Sequence, residues 1–257
     1  MIFGQRAINH PSLIQGGVQV SEPPREGAAP VWYDPVGAFD AAGFLGDIYA
    51  WRAIDTPGSP WGAGPANYAA TLTDENNGQV ITPGGGYDGS LWAGATGWGF
   101  VAALAQWLDT GLIPANDQSW SMFVQFSSVP AGIAAHLAAG LTAGSGNFGL
   151  YIDNIPGIRR IYFNGAIGST FIPGANTTAG NMGISGVFGY YNGVFEAGPP
   201  GVWAGASTKE VYIGCQNTNG VALNFITADI AAVWICTSNP ATVQANAATL
   251  ATAMGQL

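Results

Sequence analysis

Positive charge is almost missing from this chain. Lysine occurs once, at Lys209, and arginine only at Arg6, Arg25, Arg52, Arg159 and Arg160, against 15 acids, for a net charge of −9. Binding to nucleic acid, or to an anionic membrane surface, needs a basic patch, and six scattered bases supply none. Charge of either sign is scarce: 8% of the 257 residues are charged, about a third of the usual share. Such a surface does little to hold copies of the molecule apart. Part of it is therefore expected to be covered in a homo-oligomer, with a single module of Ser/Thr/Asn/Gln surface as the plainer alternative.

The reactive side chains are few. Histidine occurs at His10 and His136 only. His136 lies in Ile133-Ala134-Ala135-His136-Leu137-Ala138, an apolar strand, where a hydrogen-bonded core histidine is a simpler reading than a general base. There is no G-x-S-x-G and no G-K-[ST]; Gly144-Ser145-Gly146 and Gly84-Gly85-Gly86 read as loops. The two cysteines, Cys215 and Cys236, have no clustered histidine and make no zinc site. They are expected to be free and buried, pairing only if their strands are neighbours. Uncharged stretches such as Ser90–Leu108 and 118–152 are broken by Gly, Ser, Gln and Asn and do not read as membrane spans. The opening MIFGQRAINHPSLIQGG lacks the basic-then-apolar order of a secretory leader, which sets the expectation of a product made and kept in the cytoplasm.

Against these absences stand 39 glycines, 16 prolines, 48% hydrophobic and 12% aromatic residues. Many turns and ample apolar surface favour short strands in one all-β domain over disorder or long helices. Residues 1–30 carry no sustained periodicity and read as an arm, expected to anchor to a neighbour, with a disordered arm as the alternative; residues 31–257 are expected to form the body. Phe39–Phe44 is expected as a helical turn. In Asp47–Ile54 the side chains of Ile48, Ala50, Arg52 and Ile54 should point one way and those of Asp47, Tyr49, Trp51 and Ala53 the other. Asp74–Gly78 is a polar turn. Trp120, Met122, Val124 and Phe126 alternate with Ser121, Phe123 and Gln125. Residues 149–153 and 159–164 should pair as a hairpin. Gly183–Tyr191 reads as one strand ending in Asn192-Gly193, and Phe195–Trp203 as a loop. Val211–Ile213 is a strand, Gln216–Gly220 a loop, and Ile230–Ile235 a run buried on both faces. Asn239 and Pro240 open a final helix whose apolar stripe is Val243, Ala247, Leu250 and Met254.

The stretch Glu210–Cys236, with VYIGCQNTNG and FITADIAAVWIC, resembles the C-terminal signature of laminin G-like, concanavalin A-like jelly-roll domains. Thr96-Gly97-Trp98-Gly99-Phe100, Trp107-Leu108-Asp109-Thr110-Gly111 and the strand from Ser119-Trp120-Ser121 to Phe126 extend the likeness over most of 32–254. The resemblance implies a two-sheet antiparallel sandwich with a short C-terminal helix. It also implies that the Trp120 strand lies at the centre of a sheet and that Trp234 and Ile235 fill the core between sheets. The pattern W-x-F, L-x-T-G, S-W-S-M, Y-I-G and T-A-D-I resembles the variants carried by bacteriophage particle proteins, and that resemblance implies a non-enzymatic virion protein on a capsid, tail or fibre, made in the host cytoplasm, with host-glycan attachment as a further role. A lectin or adhesin is the alternative, and a polysaccharide-active enzyme a second.

Hydrolases on this fold carry an E-x-D-x-E run that sets two carboxylates on one strand face. Glu22, Glu26, Glu75, Glu196 and Glu210 have no Asp two residues on, so no catalytic residue is assigned. No cofactor is required. Calcium is the one ion relatives would admit, through Asp153-Asn154 or Asp74-Glu75-Asn76-Asn77, with solvated turns as the plainer reading. Glycan contacts are expected from aromatics and amides on loops and strand ends: Tyr190, Tyr191, Asn192, Trp203, Asn217 and Asn219. Trp98, Trp107, Trp120 and Trp234 are expected in the core.

Overall fold

The computed structural model of the chain describes residues 47–55, 64–114, 119–142, 147–155, 159–164, 170–173, 177–197 and 207–255; the expected arm 1–30 and the turn Phe39–Phe44 lie outside them. The alternation read from the sequence becomes two antiparallel sheets and a terminal helix, a jelly-roll sandwich. The first sheet runs in the order β13 (Val194–Ala197), β12 (Phe188–Tyr191), β11 (Gly180–Ser185), β6 (Ser121–Ser127), β17 (Ala228–Cys236), β4 (Gly97–Phe100) and β3 (Trp92–Ala93). β1 (Ile48–Arg52) pairs with the far half of β17, Ile48 opposite Cys236 and Arg52 opposite Ala232, while β4 pairs with its near half, Ala228–Ile230. The second sheet runs β10 (Thr170–Pro173), β9 (Arg159–Asn164), β8 (Asn147–Asp153), β7 (Ala134–Leu141), β14 (Tyr212–Ile213), β5 (Trp107–Asp109) and β2 (Thr82–Gly84). A hairpin of β15 (Gln216–Thr218) and β16 (Val221–Leu223) joins it, with β15 parallel to β7. Among the described residues the α-helices are the short α1 (Tyr68–Thr71) and α2 (Pro240–Gly255), with a 3-10 turn at Ala102–Leu104.

Two cores result from strands that are apolar on both faces. Between the sheets lie Trp51, Trp98, Met122, Val124, Phe126, Leu108, Leu150, Ile213, Val233 and Ile235. Between the first sheet and α2 lie Ile48, Ala50, Phe123, Trp234 and Cys236 with Val243, Ala247, Leu250 and Met254, the stripe expected of the helix. β1 divides as expected, Ile48 and Ala50 towards the helix, Trp51 and Ala53 towards the second sheet. β6 sits in the middle of its sheet, flanked by β11 and β17.

Trp234 is a correction. It is fully buried, but under α2 and not between the sheets with Ile235. Adjacent residues of a strand face opposite sides, so the two cannot share a core. Ala231 bulges out of the pairing with β6, where the register shifts between Ile230 and Ala232. The extra residue lets Ile230 and Val233 face the same core despite a spacing of three.

The stretch Gly183–Tyr191 is two strands, not one: Ser185 pairs with Phe188 around Gly186, whose φ is +56°. A glycine at the first position of a two-residue loop suits the primed turns that match strand twist. The expected loops 216–220 and 195–203 are likewise shorter than read. Gln216–Thr218 is β15, turning at Asn219-Gly220 (φ +54° and +88°), and Phe195–Ala197 belongs to β13, entered through Asn192-Gly193 (φ +49° and +75°). Both segments are strands because their backbones pair with a neighbour.

The Asp74–Gly78 turn is laced to β1. Asp74 is buried and accepts from the backbone N–H groups of Ala50 and Asn77, while Asn76 and Asn77 donate to the Ile48 carbonyl at 2.9 and 2.6 Å. Arg52, 5% exposed, pairs with Glu75 at 2.9 Å. Packing density is tested at Gly183, where an added Cβ would stand 2.2 Å from the Phe123 ring. Gly183→Ala is expected to lower unfolding free energy by about 1–3 kcal/mol, as overpacking does. A midpoint in urea unchanged from wild type would show that the Phe123 layer yields.

Candidate functional site on the outer face of the second sheet

β5 is three residues long, and its middle one, Leu108, goes to the core. Trp107 and Asp109 must therefore face outwards. Beside them β14 sends Ile213 inwards and Tyr212 outwards. The register sets Asp109, Tyr212, Ala139 and Gly149 in one row across the sheet. Trp107 and Tyr212 stack with ring centroids 5.8 Å apart and planes 20° apart, and Phe225 lies against Trp107 at 6.2 Å. All three rings are half-buried. The indole rests on β2: an added Cβ at Gly84 would stand 2.2 Å from it, and one at Gly85 2.6 Å. Two glycines of the Gly84-Gly85-Gly86 run thus have a reason, since any side chain there would lift the ring off the sheet.

The edge of this strip is acidic. Asp109 accepts from the Gly111 N–H at 2.8 Å, and its carboxyl is held above the ordinary value by burial, with Glu210 adding to the effect. Glu210 accepts from the Asn217 amide at 3.3 Å. The Tyr212 phenol is raised by burial and then by Asp109 and Glu210. Flat, half-exposed rings beside hydrogen-bond-accepting carboxylates can take a molecule with one apolar face and a rim of hydroxyls.

The residues expected to contact glycan are not gathered here. Tyr190 is 7% exposed and packs on Phe123 in the helix-side core. Tyr191 leans on the main core and donates its hydroxyl to the Ala179 carbonyl at 2.5 Å. Asn192 opens a turn and accepts from the Asn181 N–H at 2.8 Å. These three belong to the first sheet. Asn217 and Asn219 belong to the hairpin of the second; Asn217 is fully buried, bonded to the Glu210 carbonyl and to the Gly220 N–H, while Asn219 is an exposed turn residue. Trp203 lies outside the described residues. Trp98, Trp120 and Trp234 are core, as expected, whereas Trp107 is not, because Leu108 already occupies the inward position of β5. The spacings Trp107-x-Asp109 and Glu210-x-Tyr212, each two apart on a strand, were the sequence signal for this face.

Other candidates have structural partners. Asn154, expected among calcium ligands, clamps a loop: its amide donates to the Pro130 and Thr177 carbonyls and its oxygen accepts from Thr177 N–H. Among the described residues no group of three or more His, Cys, Asp or Glu could hold a metal ion. Cys215 and Cys236 are free and buried, one beside each sheet's strands. His136 is 3% exposed, edge-on to Tyr151 at 4.6 Å, and burial pulls its pKa down to about 3.

No family model and no curated protein sequence matches the chain. Among solved structures it is similar to a mutant of Trypanosoma rangeli sialidase displaying trans-sialidase activity, at 12% identity and a TM-score of 0.49, over 82% of this chain and 34% of that one. It is also similar to the Ruminococcus gnavus IT-sialidase CBM40, at 14% identity and a TM-score of 0.38, over 51% of this chain and 83% of that one. The chain spans about a third of the length of the Trypanosoma rangeli sialidases it matches. The jelly-roll class rests on the strand order and register described above.

His136 gives this face a pH signature. Its folded value lies below that of a free histidine, so the unfolded chain takes up the proton first, and stability is lost as pH falls from about 6.5 towards 3. His136→Phe is expected to flatten the acid side of a melting-temperature profile between pH 6.5 and 4. An unchanged slope would show that another group carries it.

Proposed function

We propose that the chain is a carbohydrate-binding module whose ligand lies on Trp107, Tyr212 and Phe225, with Asp109 and Glu210 accepting its hydroxyls. The observation that carries this reading is the stacked pair Trp107–Tyr212, left half-open on a sheet face and seated on glycines. It is a binding reading and not a catalytic one, because the chain lacks the E-x-D-x-E run of hydrolases on this fold. The acidic edge favours neutral glycans over sialylated ones, since a carboxylated sugar would meet Asp109 and Glu210. Titration calorimetry with neutral oligosaccharides and with sialyllactose is expected to show the neutral set binding better. Trp107→Ala should weaken that binding at least about tenfold with an intact fold. Equal binding by wild type and Trp107→Ala would end the platform reading.

A second reading, self-assembly, is favoured by the few surface charges and by Val194 and Phe195, 65% and 55% exposed on the edge strand β13. This is the wider statement behind the expected virion protein of a bacteriophage, made in the host cytoplasm and tied to its neighbours by the arm. No helix among the described residues is long and apolar enough to cross a membrane. Light scattering on the full chain and on a version lacking residues 1–30 is expected to give an oligomer that shrinks when the arm is gone. A monomer in both would remove assembly and leave the glycan reading standing.

A further inference from the structure

The other sheet carries a pocket that the glycan reading does not use. It has a volume of about 220 Å3 and lies on the outer face of the first sheet, beyond the half of β17 that α2 covers. Ala228 and Ile230 point into the core, so Asp229 between them points out, opposite Gly99 of β4 and Ser127 of β6. Its carboxylate lies in the pocket with Leu91, Val101, Ser128 and Thr227 around it.

One feature keeps the carboxylate open, and two shape the rim around it. Gly99 has no side chain to cover it: an added Cβ would stand 3.4 Å from Asp229 Oδ1 and 2.6 Å from the Leu91 carbonyl. Ser128 holds a left-handed conformation, φ +62°, at the end of β6, a cost for a residue other than glycine. Thr227 Oγ1 is fixed at the rim by the Ala102 N–H at 3.1 Å. Among the described residues, no hydrogen-bond donor or cation meets the Asp229 carboxylate, although the residue is half-buried. Taking a carboxylate partly out of water without a partner costs free energy, and an ion pair with an incoming cation would recover it.

We infer that this pocket binds the ammonium group of a small primary amine, with Asp229 as its counter-ion, a hydroxyl oxygen of Ser128 as a second acceptor, and Leu91 and Val101 against the hydrocarbon. The pocket is smaller than the roughly 300–1,000 Å3 of sites for drug-sized ligands, so it takes a single short chain. An anion is refused by the same carboxylate.

The test is an amide NMR titration of the full chain with n-butylammonium, its isostere n-butanol, and butyrate at neutral pH. Saturable shifts at Gly99, Ser128 and Asp229 are expected with n-butylammonium, with binding at least tenfold weaker for n-butanol and none for butyrate. Asp229→Asn, which keeps the side-chain volume, should lose the preference for the amine. n-Butanol binding as tightly as the amine, or shifts that never saturate, would overturn the proposal on the wild-type protein alone, without relying on any variant to fold. Retention of the amine preference by Asp229→Asn would overturn it equally.

Discussion

The structure depends on β17 being buried on both of its faces. A strand with one apolar face supports one core, and this one supports two, with Ile230, Val233 and Ile235 against the second sheet and Ala232, Trp234 and Cys236 under α2. The bulge at Ala231 keeps the two sets in phase. Burial of a large side chain contributes about 1.5–3 kcal/mol, so this single strand carries more of the apolar stabilisation than any edge strand can. It also has three hydrogen-bonded neighbours, since β1 and β4 share one of its edges end to end. The chain's scarcity of charge fits this arrangement, because strands paired on both edges and covered on both faces leave little room for solvated groups.

Much of this was legible in the sequence. The unbroken run Ile230–Ile235 announced a strand buried twice over, the alternation Trp120–Phe126 announced a strand that the resemblance set at the centre of a sheet, and the spacing of Val243, Ala247, Leu250 and Met254 announced the helix. What was misread came from composition overruling pairing. Gln216-Asn217-Thr218 is polar and was read as a loop, yet its backbone completes a ladder with β16 and β7. Gly186 hid a turn inside an apolar stretch that looked continuous. Trp234 was assigned to the wrong core because a resemblance fixes which residues are buried more readily than which way each one points.

The outward rings of Trp107 and Tyr212 were harder to find, and for a different reason. Tyr190 and Asn217 have the residue types of a binding site, but their side chains are committed to packing and to internal hydrogen bonds. Trp107 looked like a core residue because tryptophan is large and apolar. Its outward direction is set by Leu108, and its fit to the sheet by glycines more than twenty positions earlier. A site built from strand parity and from missing side chains leaves little trace in any one segment. The raised carboxyl of Asp109 and phenol of Tyr212 mark it electrostatically, and those shifts exist only once β5 and β14 are side by side.

The place of β17 also sets an order of events during synthesis. β6, made near the middle of the chain, waits for a partner that lies more than a hundred residues downstream, and β1 waits longer still for the same strand. Until residues 228–236 leave the ribosome, the first sheet lacks its centre, with β11–β13 on one side of the gap and β1, β3 and β4 on the other. Contacts this distant in sequence slow folding and hold unpaired strand edges open meanwhile. The first sheet is therefore completed late, when β17 enters between β6 on one edge and β1 and β4 on the other.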